Sequence, residues 1–167
     1  SERSRLISFG FFFNYSCRRD RIGFPIISER SAYPSSEMSL NPQYEDIGKG
    51  FVQQYYAIFD DPANRANVVN FYSATDSFMT FEGHQIQGAP KILEKVQSLS
   101  FQKITRVITT VDSQPTFDGG VLINVLGRLQ CDDDPPHAFS QVFFLKANAG
   151  TFFVAHDIFR LNIHNSA

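Results

Sequence analysis

Four long strand patterns in the C-terminal part of the chain constrain the fold more than any other feature. Each pattern is a long run rich in strand-forming residues. The patterns cover about residues 102–112, 120–131, 138–147 and 151–163. The turn sequences Asp118-Gly119-Gly120 and Asn148-Ala149-Gly150 suit tight hairpins. Strands joined by such short turns pair with their neighbours, so the sequence predicts an antiparallel meander.

Two helix patterns precede the meander at the start of the folded region. Apolar residues at three- and four-residue steps predict an amphipathic helix over residues 44–59. Asp61 and Pro62 then suit the cap and the first position of a second helix, over about residues 62–72.

A short hairpin and a third helix complete the pattern before the long strands. The hairpin spans residues 77–88 and turns at Glu82-Gly83-His84. Pro90 opens the third helix, in which Ile92 faces inward and Lys95 faces outward. Helices that come before a run of strands predict an α+β domain.

The strand pattern VLINVLGRLQC is apolar on both of its alternating faces over much of its length. Such a pattern indicates that part of the sheet is covered on both sides. Three helices cannot cover both faces of a long sheet, so we expect a homodimer formed through the sheet. Gly127, in the middle of this strand, predicts a bulge or a bend.

Composition excludes several classes of protein. The chain has 18 Phe and no Trp, which indicates a core or cavity lined by rigid aromatic rings. A net charge of −2 leaves no basic surplus for nucleic acid. Apolar runs are too short for a membrane helix. The two cysteines lack paired spacing, which disfavours a disulfide scaffold and favours a reducing compartment.

The first 37 residues differ in composition from the rest. They carry six Arg, no Lys and eight Ser, whereas regular helix and strand signals begin only after Met38. We expect residues 1–37 to be a disordered extension, a fusion scar or an upstream translated segment, and residues 38–167 to form the folded domain. The acidic residues of this extension argue against a transit peptide.

The sequence gives little evidence of catalysis, and we expect no cofactor and no metal. The four histidines show no metal-ligand spacing, and no phosphate-binding or dinucleotide-binding turn is present. Alternation places His156 and Asp157 on opposite faces of a strand. The inward face would then hold Asp157 with Phe153, Ala155 and Phe159. An inward Asp among aromatic rings is either a general base with a raised pKa or a hydrogen-bonded structural residue.

Three consecutive carboxylates, Asp132 to Asp134, followed by two prolines, interrupt the apolar strands. Taken alone, this turn is either a solvated connection or a surface for a basic partner. The same two alternatives apply to Glu82.

Several longer segments carry a resemblance to a known family. They are IGKGFVQQYYAIFD, TFEGHQIQG, KILEKVQSLSFQKI, DSQPT, CDDDPPHAFSQVFFLK and DIFRLNIHN. Over residues 38–167 the chain resembles the nuclear transport factor 2 family. The resemblance implies a cone of three helices against a strongly bent antiparallel sheet, with an apolar cavity inside. It also implies a dimeric carrier, not an enzyme, that brings the GDP-bound small GTPase Ran into the nucleus and binds Phe-Gly repeats of nucleoporins.

The family's Ran-binding residues match four positions of this chain. Glu82 follows an aromatic residue at the cavity rim, and Phe81 stands where the vertebrate pattern usually has Trp. Asp132 and Asp134 complete an acidic collar, and we expect Asp133, which lies between them in a tight connection, to face away. The resemblance implies that these acids meet basic residues of Ran and that an aromatic side chain of its switch region enters the cavity.

Three further positions follow from the resemblance. Tyr44, near the start of the first helix, matches the aromatic residue that binds Phe-Gly repeats. Ile158, in the last strand, matches a dimer contact. Arg106 stands where several relatives have His, and the resemblance gives it no role. Such a carrier is expected in the cytoplasm and the nucleus, concentrated at the nuclear envelope and pore.

Two other classes of function remain open at this point. The same cone fold houses dehydratases and isomerases, so a small-molecule enzyme that uses the cavity is one alternative. An interaction module of a larger protein is the other. The segment SFGFFF at residues 8–13 also contains a Phe-Gly dipeptide, which would suit the Tyr44 patch in cis or on a neighbouring molecule.

Overall fold

The structure is a computed structural model that describes residues 40–164. Three helices pack on one sheet of six strands, which is curled but not closed. The helices are α1 (Tyr44–Phe59), a 3₁₀ helix (Arg65–Phe71) and α2 (Ala89–Gln97). The strands are β1 (Phe78–Phe81), β2 (His84–Gln87), β3 (Ile104–Pro115), β4 (Val121–Cys131), β5 (His137–Asn148) and β6 (Thr151–Leu161). The predicted α+β class is confirmed.

The sheet has the strand order β2-β1-β6-β5-β4-β3. Strands β3 to β6 form the predicted antiparallel meander, and β1 and β2 form the predicted hairpin. This hairpin joins the sheet through β1, which pairs in parallel with β6. The hairpin turn after β1 is thereby carried to one end of the long strands.

The first and third helices match their predictions, whereas the second begins later than predicted. Asp61 does not cap a helix that starts at Pro62. Instead, its carboxylate accepts a hydrogen bond of 2.9 Å from the amide of Ala63, within a turn. The regular helix starts at Arg65 and has 3₁₀ geometry. Asp61 therefore stabilises the connection between two helices and not the first turn of the second.

Two bulges bend the sheet. In β3, the pairing with β4 shifts between Ile108 and Thr110, opposite Gly127. A Cβ atom on Gly127 would lie 2.5 Å from the carbonyl oxygen of Val107 and 2.7 Å from a ring carbon of Phe139, so only glycine fits there. The predicted irregularity at Gly127 is confirmed, although the extra residue belongs to the neighbouring strand.

The second bulge lies in β6 at Ala155, where the pairing with β5 shifts. Val154 and Ala155 are both buried, His156 is exposed and Asp157 is buried again. The extra residue changes which side chains face inward on either side of it. Phe152, not the predicted Phe153, therefore packs against the core that Asp157 faces.

Only one face of the sheet is covered by the described part of the chain. In β4, alternate side chains are buried, whereas Leu122 and Leu126 remain 40% and 39% exposed. Phe78 and Ile158, on neighbouring strands, are 47% and 49% exposed. These four residues define what we call the outer face. The double coverage predicted for β4 is thus not provided within this part of the chain.

The predicted extension over residues 1–37, with its SFGFFF segment, lies outside the described residues. Among the helices of residues 40–164, none has the length and apolar character needed to cross a bilayer.

Candidate binding cavity

A cavity of about 320 Å³ lies between the helices and the inner face of the sheet. Its walls are mainly apolar and contain six aromatic side chains. They are Tyr55, Tyr56, Phe59, Phe81, Phe101 and Phe159. The aromatic lining agrees with the expectation drawn from the high content of Phe. A cavity of this size and character is typical of a site for an apolar group.

Three predicted acidic residues lie together at this cavity. Glu82, Asp132 and Asp134 all line it, although they come from two turns far apart in sequence, whereas Asp133 does not. Both aspartates of the pair are exposed to solvent, so they mark an open mouth. Glu82 and Asp132 have φ angles of 48° and 49°, a conformation that non-glycine residues rarely adopt. The two turns hold these carboxylates at the mouth through their backbone geometry.

The carboxylate of Asp132 also binds the backbone of the segment that precedes β3. Its Oδ1 atom accepts hydrogen bonds from the amides of Lys103, at 2.8 Å, and Gln102, at 3.1 Å. The amide of Asp132 donates in turn to the carbonyl of Lys103. The side chain of Asp134 makes no hydrogen bond within the described residues. The two acids of the pair therefore differ in how far their carboxylates are already engaged.

Glu82 and Phe81 form the opposite side of the mouth. One carboxylate oxygen of Glu82 accepts a hydrogen bond from the amide of Leu161, which fixes the side chain against the end of β6. The ring of Phe81 stacks on Phe159 with 4.9 Å between the ring centroids. The ammonium group of Lys95 lies 5.0 Å from the Phe81 centroid. Lys95, predicted to face outward, thus reaches the rim of the cavity.

A buried hydrogen-bond network forms the floor of the cavity. The hydroxyl of Tyr72 donates to one oxygen of Asp157 at 2.7 Å, and the amide group of Gln141 donates to the other at 2.8 Å. The hydroxyl of Tyr56 donates to the Gln141 side-chain oxygen at 2.8 Å. Tyr55 and Tyr72 share a further hydrogen bond of 3.0 Å. No spacing in the sequence indicated this network, because its members are brought together only by the fold.

Asp157 is almost completely buried, with 1% of its surface exposed. Burial raises its pKa from the ordinary value of 3.8 to about 6, against the opposing effect of the hydrogen bonds from Gln141 and Tyr72. Burial and the nearby Asp157 charge also raise the pKa values of Tyr55 and Tyr72. Both oxygens of Asp157 already accept hydrogen bonds, which favours its structural interpretation over a general base.

Arg106 is held by a carboxylate beneath the cavity wall. Its Nε and Nη2 atoms donate to Asp60 at 2.9 Å each, in a two-point ion pair, and its side chain is only 5% exposed. The guanidinium carbon lies 4.1 Å from the ring centroid of Tyr56 and 4.8 Å from that of Phe139. The ion pair joins β3 to the end of α1, which gives this position a structural role.

Arg65 was not indicated by any sequence pattern, yet it is 6% exposed and contacts the cavity wall. Its three nitrogen atoms donate to the carbonyl oxygens of Phe59, Phe101 and Gln102. A single arginine in a short helix carries no signal of such a role. Only the fold brings these carbonyl groups to it.

The other two predicted positions lie away from the cavity. Tyr44 is half-buried at the start of α1 and packs against the core with its ring. Ile158 belongs to the outer face. Within residues 40–164, no group of three His, Cys, Asp or Glu side chains is arranged to hold a metal ion.

Comparison with known families identifies the fold and the family. The model described as Nuclear transport factor 2 (NTF2) domain matches residues 47–161, which contain all six strands and the cavity mouth. The chain belongs to the nuclear transport factor 2 family. The Caenorhabditis elegans protein named probable nuclear transport factor 2 is 47% identical over 133 residues, which is 77% of this chain and all of that protein.

Solved structures agree with this assignment. The nuclear transport factor 2 of Cryptosporidium parvum superposes with a TM-score of 0.69 and 42% identity, over 74% of this chain and 98% of that one. A hexachlorocyclohexane dehydrochlorinase from Novosphingobium barchaimii superposes with a TM-score of 0.58 at 12% identity, over 71% of this chain and 87% of that one. The second likeness shows the fold alone.

Proposed function

We propose that this chain is a carrier that binds the GDP-bound form of Ran and Phe-Gly repeats of nucleoporins, and so brings Ran into the nucleus. The observation that carries the proposal is the meeting of Phe81, Glu82, Asp132 and Asp134 at the mouth of one apolar cavity. Relatives named nuclear transport factor 2 support the same function.

The chemistry of the mouth suits a partner that presents an aromatic side chain between basic residues. The apolar walls accept the ring, whose burial supplies most of the affinity. The three carboxylates attract the basic residues, which speeds association and fixes the orientation of the partner. Ran presents its aromatic residue in a conformation that depends on the bound nucleotide, so the cavity selects the GDP form by shape.

A dimer through the outer face completes the proposal. The exposed side chains of Leu122, Leu126, Ile158 and Phe78 form an apolar surface on three of the six strands, and such a surface is covered in a stable assembly. The ring of Tyr44, on the opposite layer, would remain accessible to Phe-Gly repeats. We place the carrier in the cytoplasm and the nucleus, with its highest concentration at the nuclear pore.

We propose no enzymatic activity for the cavity. The named relatives are transport factors, and the one buried acid of the cavity floor, Asp157, has both oxygens occupied by donors from the chain. A dehydratase or isomerase would require a proton-accepting group that is free to reach its substrate.

A binding assay with purified Ran tests the proposal. The chain is immobilised and incubated with Ran loaded with GDP or with GTP. Retention of the GDP form alone is expected. Retention of neither form, or of both equally, would refute the proposed carrier function.

A further inference from the structure

The segment over residues 98–103, which we call the rim segment, connects α2 to β3 and has no regular structure after its first residue. Leu99, Ser100 and Phe101 of this segment line the cavity. A segment without helix or strand bonding depends on other contacts to hold its position. Its bonding partners therefore decide the shape of this side of the mouth.

Arg65 holds the rim segment from the interior. Its Nη1 atom donates to the carbonyl of Phe101 at 2.6 Å, and its Nη2 atom donates to the carbonyl of Gln102 at 2.8 Å. Its Nε atom donates to the carbonyl of Phe59, the last residue of α1, at 2.9 Å. The guanidinium carbon also lies 4.7 Å from the Phe101 ring centroid. One side chain thus ties the rim segment to the end of α1.

Asp132 holds the same segment from the solvent side. It accepts from the amides of Gln102 and Lys103, as described above. Across residues 100–102, each backbone hydrogen bond to another element of the described chain ends on Arg65 or on Asp132. The guanidinium group of Arg65 donates to the carbonyl groups, and the carboxylate of Asp132 accepts from the amides. Both sets of hydrogen bonds are therefore charge-assisted.

The positive charge of Arg65 is not neutralised by an ion pair with a carboxylate of the described residues. Within residues 40–164, no Asp or Glu oxygen lies within 4.0 Å of its guanidinium group, whereas the other buried arginine, Arg106, is paired with Asp60. A buried cation without an ion pair is costly unless its donors are well satisfied. Its three carbonyl bonds meet that need only while the rim segment stays in place.

We propose that Arg65 is a positioning residue, which together with Asp132 holds the rim segment in the conformation that receives the partner. The proposal rests on the proposed function for its binding consequence and on contacts within the chain for the rest. When the rim segment is released, the part of the cavity wall formed by Phe101 is lost. The partner must then order the segment again on binding, which lowers its affinity.

Amide exchange in the free protein tests this proposal without any partner. In Arg65→Lys, a single ammonium group cannot reach all three carbonyl groups, so exchange at Gln102 and Lys103 should be about tenfold faster. The amides of β5 should stay within twofold of the original protein. Arg106→Lys is the matched control, because it alters a second arginine whose side chain is buried and which makes no bond to the rim segment. Unchanged exchange in Arg65→Lys, or an equal increase in the control, would overturn the proposal.

A second measurement applies if Arg65→Lys does not fold. Asp132→Ala, at an exposed position, loosens the segment from the other side. Exchange of the Arg65 Nη protons, followed by nuclear magnetic resonance, should then accelerate, while the Nε proton that is bonded to Phe59 keeps its original rate. Equal rates for the Nη protons before and after the substitution would show that the two residues do not hold the segment jointly.

A measurement of Ran-GDP binding tests whether the contacts of Arg65 with the rim segment matter for the carrier function. Arg65→Lys should weaken binding of Ran-GDP about tenfold, whereas Lys49→Gln, on the exposed side of α1, should leave it within twofold. If the original protein binds and Arg65→Lys binds equally well, the positioning role is wrong and the carrier function stands. If the original protein does not bind, the carrier function is wrong, and the exchange experiment still decides the role of Arg65.

Discussion

Each face of the sheet carries side chains that do not suit their surroundings: a buried acid on the cavity face and exposed apolar groups on the outer face. The two faces differ in how these side chains are accommodated. On the cavity face, the buried acid Asp157 is surrounded by donors from the chain itself. On the outer face, the exposed apolar side chains of Ile158 and its neighbours have no cover within residues 40–164. The cavity face is therefore organised by contacts within the described residues, whereas the outer face is the surface that we propose a second copy of the chain to cover. This difference predicts that substitutions on the two faces act on separate functions.

The largest effect is expected from Glu82→Lys on the cavity face. The substitution places a cation where a basic residue of the partner is proposed to dock, so affinity for Ran-GDP should fall by roughly a hundredfold or more. Isothermal titration calorimetry measures the affinity. Glu94→Lys, on the exposed side of α2, is the control and should bind normally. A folded Glu82→Lys protein with full affinity would show that Glu82 does not contact the partner.

Ile158→Lys should act on the outer face alone. A two-fold axis places the new charge in the interface twice, so the dissociation constant of the dimer should rise by roughly a hundredfold. Sedimentation velocity measures the change, and Gln53→Lys on the surface of α1 serves as the control. If Ile158→Lys stays dimeric at micromolar concentration, the dimer does not use this surface.

Asp157→Asn should stabilise the fold at neutral pH. Because the pKa of Asp157 is raised from 3.8 to about 6, the folded state holds the proton more tightly than the unfolded state. Its stabilising effect is fully present below pH 3.8 and is lost as the pH rises through about 6. Asparagine avoids the buried charge, so the free energy of unfolding at pH 7.5 should rise by about 1–3 kcal/mol. Urea denaturation across pH measures the difference, which should vanish near pH 3.5; a constant difference at all pH values would contradict the raised pKa.

The smallest effect is expected within the acidic turn. Asp134 lines the cavity and Asp133 does not. Asp134→Asn should therefore weaken binding of Ran-GDP about tenfold, and the loss should shrink at high salt. Asp133→Asn should change binding less than twofold. Equal effects of the two substitutions would mean that the turn acts only through its total charge.

Sequence patterns were sufficient for the elements whose signals are local. The helix over residues 44–59 and the long strands follow from apolar spacing, and their turns follow from Gly and Asn. The late start at Arg65 was missed, because Asp61 and Pro62 carry the same signal for a helix cap and for a turn. The bulge at Ala155 was missed because strict alternation contains no information about an inserted residue.

The candidate site was predictable only in part. Glu82 and Asp132 were recognisable from the family resemblance, and the fold brings them to one cavity mouth. The Asp157 network and Arg65 depend on contacts between residues far apart in the chain. Neither the hydroxyl of Tyr72 nor the carbonyl of Phe101 has a sequence signature that names its partner.

The bulge at Ala155 determines the effect of losing one residue from β6. Upstream of it, Val154 faces inward, and downstream of it Asp157 faces inward and Ile158 outward. Deletion of this one small residue would restore strict alternation and leave both sides as they are, because Val154 would be followed by an outward His156 and an inward Asp157. The carboxylate would stay among the tyrosine hydroxyls and the isoleucine on the outer face. Loss of this single codon would therefore remove the local bend of β6 and spare both surfaces, whereas loss of a codon at a regularly paired position of β6 would exchange inward and outward side chains beyond it.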